Sequence, residues 1–264
     1  MTEFIAGAAL VNFLLLVCLL FKVRKVHLAS FSLGNTITQQ ANLLFRQLQA
    51  YHELSSLLNL KQPLPPLGGW AATPDFLLIV TSHALSRRPQ LILECGSGAS
   101  TIILGRCCEL NGTGHVFSLE HNADYAEQTR QQIRDLGLSQ WVTILHAPLV
   151  TYPSLENRQW YSLEGVTLKS GSLDMLVVDG PPNAINTLAR YPAVPLLYPY
   201  FAAGFVALVD DTNRTSEKRA IARWLSEFPG LSAKYFETEK GCTVIRHTRR
   251  PHKSECSGNG QERK

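Results

Sequence analysis

The chain begins with one continuous hydrophobic run, and further along the hydrophobic residues recur first at helical spacing and then as short strand-like segments. Phe4 to Phe21 is an apolar run without a charge, and as a helix it would span roughly 27 Å, close to the hydrocarbon thickness of a bilayer. From Asn35 to Leu60 apolar residues recur every three or four positions, which predicts an amphipathic helix. Residues 62–69, rich in proline and glycine, end that helix. Thr73-Pro74-Asp75 is a typical helix start, and the next helix should run to Arg87.

Beyond Arg87 short apolar segments alternate with helical ones. Strands of this kind, separated by helices, indicate an α/β fold with a parallel sheet covered on both faces. The last two segments, joined across Glu239-Lys240-Gly241, predict a hairpin. The predicted strands are 91–95, 115–119, 141–145, 173–178 and 205–209, with hairpin strands 233–236 and 243–247. The predicted helices are 100–110, 123–137, 184–198 and 215–228.

The apolar run is predicted to be a single-pass membrane anchor. A cleavable signal peptide is the alternative, but it would have a basic start and a small-residue cleavage site, whereas here Glu3 precedes the run and Lys22, Arg24 and Lys25 follow it. The positive-inside rule then places the large domain in the cytoplasm. We expect a membrane anchor with its basic flank (1–27), a juxtamembrane helix and linker (28–69), an α/β domain (70–247) and a disordered basic tail (248–264).

Composition excludes several functional classes. The hydrophobic fraction of 45% excludes a disordered chain. The net charge of +4 comes from the anchor flank and the tail, so the near-neutral body argues against nucleic-acid binding. The six cysteines form no zinc-type spacing and are expected to be reduced thiols. Residues 35–60 could form a homodimer seam or pack on their own domain.

In a parallel sheet the ligand lies beyond the carboxyl ends of the strands, and unusual residues follow each predicted strand. Gly96 and Gly98 follow the first strand and would let the backbone approach a ligand closely. A plain tight turn is the alternative. A dinucleotide fingerprint would need a third glycine where Thr101 stands, and the acid Glu94 suits an ammonium group better than a pyrophosphate.

Acidic residues follow the other strands. Glu120 comes after the second strand, where it could bind a ribose diol or remain a solvated acid beside a helix capped by Asn122. Asp179 ends the fourth strand within Asp-Gly-Pro-Pro, as a functional acid or as a partner for nearby backbone N–H groups. Asp210 and Asp211 follow the fifth strand. Because the three aspartates would repel one another, a cation, an arginine or a proton should lie between them. They could ligate Mg²⁺, or Asp211 could simply cap the next helix.

The ordered motifs E-C-G-S-G-A-S-T, S-L-E-H, V-D-G-P-P and V-D-D-T resemble those of class I S-adenosylmethionine-dependent methyltransferases, over about residues 70–247. The resemblance implies a Rossmann-like, mostly parallel seven-stranded sheet with a C-terminal antiparallel hairpin. It also implies S-adenosylmethionine as cofactor, an unidentified methyl acceptor, and Asp179 beside the transferred methyl as the catalytic residue. The cofactor contacts expected from it are Glu94, Gly96, Ser97, Gly98, Ser100, Glu120, His121, His146, Ala147 and Asp179.

Within that superfamily the chain is similar to catechol O-methyltransferase-like enzymes, whose strand-end acids bind Mg²⁺. The matching positions are Asp179, Asp210 and Asp211. The chain departs from that pattern because Asp-Asp replaces Asp-Asn after the fifth strand and no lysine follows Asp179. Two rival functions remain at this stage. One is a non-catalytic membrane scaffold with the same fold, and the other is an NAD(P)-dependent oxidoreductase, disfavoured by Glu94 and Thr101.

The connection between the third and fourth strands, residues 147–172, is long, and long loops often carry function. It contains Trp160 and Tyr161. These aromatic residues could form a wall or lid of the substrate site, or they could pin the loop to the body of the domain.

Overall fold

The computed structural model describes residues 1–60, 62–69 and 71–247. The predicted basic tail, 248–264, and Trp70 at the predicted start of the α/β domain lie outside the described residues. The chain divides into two compact units, with the boundary between Gln49 and Ala50.

The first unit is formed by most of a single long helix, α1 (Thr2–Leu58). The sequence predicted an apolar stretch and a separate amphipathic helix, but the structure joins them. No proline lies between residues 22 and 34, and Gly34 costs a helix only about 1 kcal/mol relative to alanine. Within the described residues, α1 is the one helix long and apolar enough to cross a membrane, with a mean hydropathy of 2.7 over its best window.

The second unit is built around a seven-stranded sheet. The strands of this unit are β1 (Leu91–Cys95), β2 (His115–Glu120), β3 (Val142–His146), β4 (Leu149–Tyr152), β5 (Arg158–Tyr161), β6 (Leu173–Val178), β7 (Phe201–Val209), β8 (Leu231–Phe236) and β9 (Cys242–His247). The order in the large sheet is β3-β2-β1-β6-β7-β9-β8. Strands β3, β2, β1, β6 and β7 are parallel, whereas β9 is antiparallel to both β7 and β8. This arrangement confirms the predicted α/β fold with its C-terminal hairpin. The helices are α2 (Pro74–Arg87), α3 (Ala99–Asn111), α4 (Ala123–Asp135), α5 (Ala193–Leu197) and α6 (Thr215–Glu227).

Apolar side chains fill both faces of the sheet. One face packs against α2, α3 and α4, with Phe76 and Ile103 fully buried, and the other packs around Trp160 and Trp224. Leu54 and Leu58, at the end of α1, are fully buried in the first of these layers. This end of the predicted 35–60 helix therefore packs on its own domain. The dimer seam stays a prediction.

Two predictions about the connections were wrong. The predicted helix 184–198 shrinks to α5, because Pro192 disfavours helical backbone at the residue before it and the first half of the segment forms turns. The 147–172 connection, predicted only as a long loop, contains the antiparallel hairpin β4–β5. Both segments approach the carboxyl ends of the parallel strands, so both help to form the site described below.

Five of the six cysteines lie in the described residues and agree with the expectation of reduced thiols, whereas Cys256 lies outside the described residues. Cys95, Cys107, Cys108 and Cys242 are buried and free, and Cys18 on α1 is free and exposed. Burial raises the pKa of Cys108 to about 11 and that of Cys107 to about 12. These two thiols therefore behave as apolar core residues.

Candidate active site

A cavity of about 560 Å³ opens at the carboxyl ends of β1, β2 and β6. This volume lies within the range of small-molecule binding pockets. The cavity has a mixed lining of glycine backbone, acids, cations and two tyrosines. It is lined by Gly69, Gly96, Ser97, Glu120, His121, Asn122, Tyr125, Tyr161, Asp179, Gly180, Pro182, Asn183, Arg190, Asp211, Arg214 and Lys240.

The turn after β1 brings backbone to the cavity wall. Gly96 has a φ of +95°, in the left-handed region that favours glycine. A Cβ atom on Gly96 would also lie 3.4 Å from the backbone nitrogen of Gly180. The next residue, Ser97, donates its backbone N–H to Oε2 of Glu120 at 3.0 Å, and its hydroxyl lies 3.2 Å from the same oxygen. The turn is therefore closed against the end of β2.

Glu120 ends β2, and its carboxylate is almost fully buried at the cavity wall. Its Oε1 accepts the backbone N–H of Asn122 at 2.9 Å and lies 3.0 Å from Nδ1 of His121. Asn122 also caps α4, since its side-chain oxygen accepts the N–H groups of Asp124 and Tyr125. The predicted acid and the predicted cap are thus both present, at neighbouring positions with separate roles.

Glu94 lies behind the turn, away from the cavity lining. Its Oε2 accepts the hydroxyl of Thr101 at 2.5 Å and that of Ser118 at 2.7 Å. The Thr101 hydroxyl in turn accepts the N–H of Gly98 at 2.9 Å. Burial raises the pKa of Glu94 to about 7. Thr101, at the position of the missing third glycine, therefore ties the start of α3 to a buried acid.

Asp179 follows β6 directly and lines the cavity. Its backbone N–H donates to the carbonyl of Cys95 at 3.1 Å, which joins the turns after β1 and β6. Burial raises the pKa of Asp179 to about 6, and the neighbouring Arg190 opposes that rise. A Cβ atom on Gly180 would overlap the hydroxyl oxygen of Tyr161, so this position needs glycine.

Asp179, Asp210 and Asp211 offer carboxylate oxygens that lie within 4.8 Å of one another. Burial raises the pKa of Asp210 to about 8. The buried guanidinium of Arg190 lies among them, with its Nη2 2.6 Å from Oδ2 of Asp211. The sequence predicts a cation, an arginine or a proton between the three aspartates, and the structure has an arginine there. Asp211 does not cap α6, because that helix begins at Thr215 with Arg214 at its cap.

Trp160 and Tyr161 in the 147–172 connection were expected either to form a wall of the substrate site or to pin the loop to the domain, and each takes one of these roles. Both residues are fully buried. Trp160 packs into the core and does not line the cavity, whereas Tyr161 does. Within the described residues the Tyr161 hydroxyl has no hydrogen-bond partner.

The structure brings together about half of the predicted site residues. The predicted residues that line the cavity are Gly96, Ser97, Glu120, His121, Asp179 and Asp211. Those outside its lining are Glu94, Gly98, Ser100, His146, Ala147 and Asp210. Sequence reasoning missed Tyr125, Asn183, Arg190, Arg214 and Lys240, which come from the segments after the strand ends and carry no motif of their own. His146 is exposed, and Ala147 bonds the Glu120 carbonyl through its backbone N–H at 2.7 Å.

Residues 93–212 match a family model described as a methyltransferase domain. No curated protein matches the chain.

Solved structures share the fold at low sequence identity. S-adenosylhomocysteine-bound PaMTH1 from Podospora anserina is 16% identical with a TM-score of 0.53, over 76% of this chain and 88% of that one. The O-methyltransferase TomG from Streptomyces achromogenes, in complex with S-adenosylmethionine, is 18% identical with a TM-score of 0.50, over 77% and 89%. Cofactor-bound Rv0187 from MTB is 17% identical with a TM-score of 0.52, over 79% and 91%.

Proposed function

We propose that this chain, which has the mostly parallel seven-stranded fold of class I S-adenosylmethionine-dependent methyltransferases, binds this cofactor beside Gly96 and catalyses methyl transfer to an oxygen or nitrogen atom of an acceptor. The proposal rests mainly on the position of two predicted cofactor contacts, the glycine turn and the acid after β2. The Gly96-Ser97 turn and the Glu120 carboxylate line one cavity and are hydrogen-bonded to each other.

The residues of the cavity fit S-adenosylmethionine. The turn after β1 offers backbone that a side chain at Gly96 would obstruct, which suits the methionine portion of the cofactor. Glu120 suits a ribose diol, because a carboxylate accepts hydrogen bonds from both hydroxyls. Tyr161 brings a buried hydroxyl without a partner among the described residues. When bound, the cofactor supplies an electrophilic methyl group on its sulfonium.

Asp179 is proposed to orient the acceptor and take its proton. It lies at the end of β6 on the cavity wall, next to the glycine turn. Because its pKa is raised to about 6, the carboxylate is largely ionised at neutral pH and a better base than an ordinary aspartate. The remaining contribution of the protein is positioning, since a methyl group transfers in line between its donor and acceptor.

The N-terminal helix is proposed to anchor the enzyme as a single membrane span with its catalytic domain in the cytoplasm. The length and hydropathy of α1 support a span, and Lys22, Arg24 and Lys25 support this orientation. In sealed right-side-out vesicles we expect the C-terminus to be protected from added protease. Cleavage from outside would show the opposite orientation.

Calorimetric titration of the full-length protein with S-adenosylhomocysteine tests the cofactor site. We expect saturable binding by the wild type and none by Gly96→Arg, because the introduced side chain would fill the cavity and strain the turn. Gln128→Arg is the matched control, since it adds the same side chain at an exposed position on α4. Equal affinity of Gly96→Arg and the wild type would refute the assignment of the turn. Binding without methyl transfer to any membrane extract would instead favour the scaffold function.

A further inference from the structure

In this chain an arginine pairs with the strand-end acids that correspond to the Mg²⁺ ligands of catechol O-methyltransferase-like enzymes. Arg190 lies in the turn segment after Asp-Gly-Pro-Pro, and its side chain is 3% exposed. Its Nη1 donates to the Asp210 carbonyl at 2.8 Å, and its Nη2 donates to the Asp179 carbonyl at 2.6 Å. An arginine side chain stays protonated in proteins, so this buried group is a permanent cation.

The carboxylate oxygens themselves are directed to nitrogen donors. Oδ2 of Asp211 lies 2.6 Å from Nη2 of Arg190 and 2.8 Å from Nη1 of Arg214. Oδ1 of Asp179 lies 3.4 Å from the same Nη2 of Arg190. Oδ1 of Asp210 accepts the backbone N–H of Asp211 at 2.8 Å. Three of the six carboxylate oxygens in the cluster are therefore already facing N–H donors.

Magnesium does not fit this arrangement. It requires a near-octahedral shell of oxygen ligands at about 2.0–2.1 Å. An ion held by Asp179 and Asp211 would need the space that the guanidinium fills, and it would be repelled by the fixed positive charge of Arg190. Asp211 also has a left-handed backbone, with a φ of +59°, which is uncommon for a residue other than glycine. This conformation accompanies the pairing of its carboxylate with two arginines.

We propose that Arg190 takes the place of the divalent cation in this chain, so that the acid cluster is a protein-internal ion network and binds no Mg²⁺. Arg190 is then a positioning residue. It holds the carbonyls at the ends of β6 and β7 together and keeps the Asp179 carboxylate beside a fixed cation. This assignment concerns the acid cluster alone and does not depend on which cofactor fills the cavity.

Titration with Mn²⁺, followed by the electron paramagnetic resonance signal of the free ion, tests the proposal on full-length protein treated with EDTA and purified in detergent. We expect the wild type to leave the free Mn²⁺ signal undiminished. One saturable Mn²⁺ per chain, displaced by Mg²⁺ and lost in Asp179→Asn, would overturn the proposal. Melting temperature gives a second readout, and Mg²⁺ should not change that of the wild type.

Two variants separate the charge of Arg190 from its structural role. Arg190→Gln removes the cation and should bind Mn²⁺ and gain thermal stability with Mg²⁺, whereas Arg190→Lys keeps the charge and should do neither. Arg214→Ala, which removes the half-exposed partner of Asp211, should also exclude Mn²⁺. A folded Arg190→Gln that ignores Mn²⁺ would overturn the proposal. If neither Arg190 variant folds, the wild-type titration decides by itself. Calorimetry with S-adenosylhomocysteine on the same samples reports separately on the cofactor site.

Discussion

The backbone N–H of Ser97 donates a 3.0 Å hydrogen bond to Oε2 of Glu120. This bond joins the glycine turn after β1 to the acid at the end of the neighbouring strand. The two elements expected to hold opposite ends of one ligand are therefore mechanically coupled, and a change in the acid should alter both.

Glu120→Gln tests this coupling. Glutamine keeps the shape of the side chain, but its amide nitrogen cannot accept the bonds that both carboxylate oxygens now accept. Hydrogen bonds to charged groups contribute about 1.5–3 kcal/mol, so affinity for S-adenosylhomocysteine should fall about 10- to 100-fold. Isothermal calorimetry gives this number directly. Glu127→Gln, an exposed acid on α4 paired with Arg130 and Arg134, should bind like the wild type, and a similar loss in both variants would contradict the role of Glu120.

Asp179→Asn should separate binding from chemistry. Asparagine fits the same space and keeps a carbonyl oxygen toward Arg190, but it cannot accept a proton from the acceptor. Loss of a general base typically costs about 10²- to 10⁴-fold in rate, while calorimetric affinity for S-adenosylhomocysteine should stay within a few-fold. Transfer of a radiolabelled methyl group into a membrane extract measures the rate. Asp135→Asn, exposed at the end of α4, serves as the control, and wild-type transfer by Asp179→Asn would remove Asp179 from the mechanism.

The effects of Gly180→Ala and Tyr161→Phe on the free energy of unfolding should not be additive. The new Cβ would overlap the buried Tyr161 hydroxyl, and overpacking of this kind costs about 1–3 kcal/mol. Tyr161→Phe by itself should cost little, since the hydroxyl has no partner among the described residues. The double variant should recover part of the loss, with the remainder due to the Cys95 carbonyl, which would lie 3.3 Å from the new methyl group.

Denaturant unfolding of the four proteins gives the interaction energy between the two positions. A purely additive result would mean that the overlap is relieved by movement of the backbone and not by the side chain of Tyr161.

The strand-end residues could be predicted from sequence because the rule that places them is geometric. Buried runs of valine, isoleucine and leucine identify parallel strands, and the carboxyl ends of such strands meet at one edge. Gly96, Glu120 and Asp179 each follow such a run and all line one cavity. For these residues, the position at the end of a strand in the sequence is enough to predict that they lie close together in the fold.

Arg190 and Glu94 show where that rule stops. Arg190 lies in a segment predicted as helix, where Pro192 outweighs the apolar pattern, and only the folded turn brings its side chain to the acids. Glu94 is close enough in sequence to the turn to suggest ligand contact. Successive strand residues face opposite sides of a sheet, however, and the sequence does not state which side faces the cavity. Its partners Thr101 and Ser118 reach it only through the packing of α3 and β2 around the end of β1, which the local sequence does not determine.

Glu94 also gives a prediction for stability as a function of pH. Its pKa is about 7 in the folded protein, because burial disfavours the charged form, and near 4.5 when unfolded. Between these values the unfolded state holds fewer protons on this group than the folded state does. The free energy of unfolding should therefore fall as pH rises from about 4.5 to about 7, by an amount on the order of 3 kcal/mol from this group.

Glu94→Gln isolates this contribution. The glutamine oxygen can still accept the hydroxyls of Thr101 and Ser118, but the side chain no longer titrates. Asp179 and Asp210 also have raised pKa values, so the wild type alone would show their sum, whereas the difference between wild type and variant reports Glu94. Denaturant unfolding at several pH values gives the free energy of unfolding of both proteins. The value for the variant should rise relative to that of the wild type between about pH 4.5 and pH 7, and the difference should be constant above about pH 8. A constant difference across the whole range would mean that Glu94 is ionised in the folded protein and that its hydrogen bonds outweigh its burial.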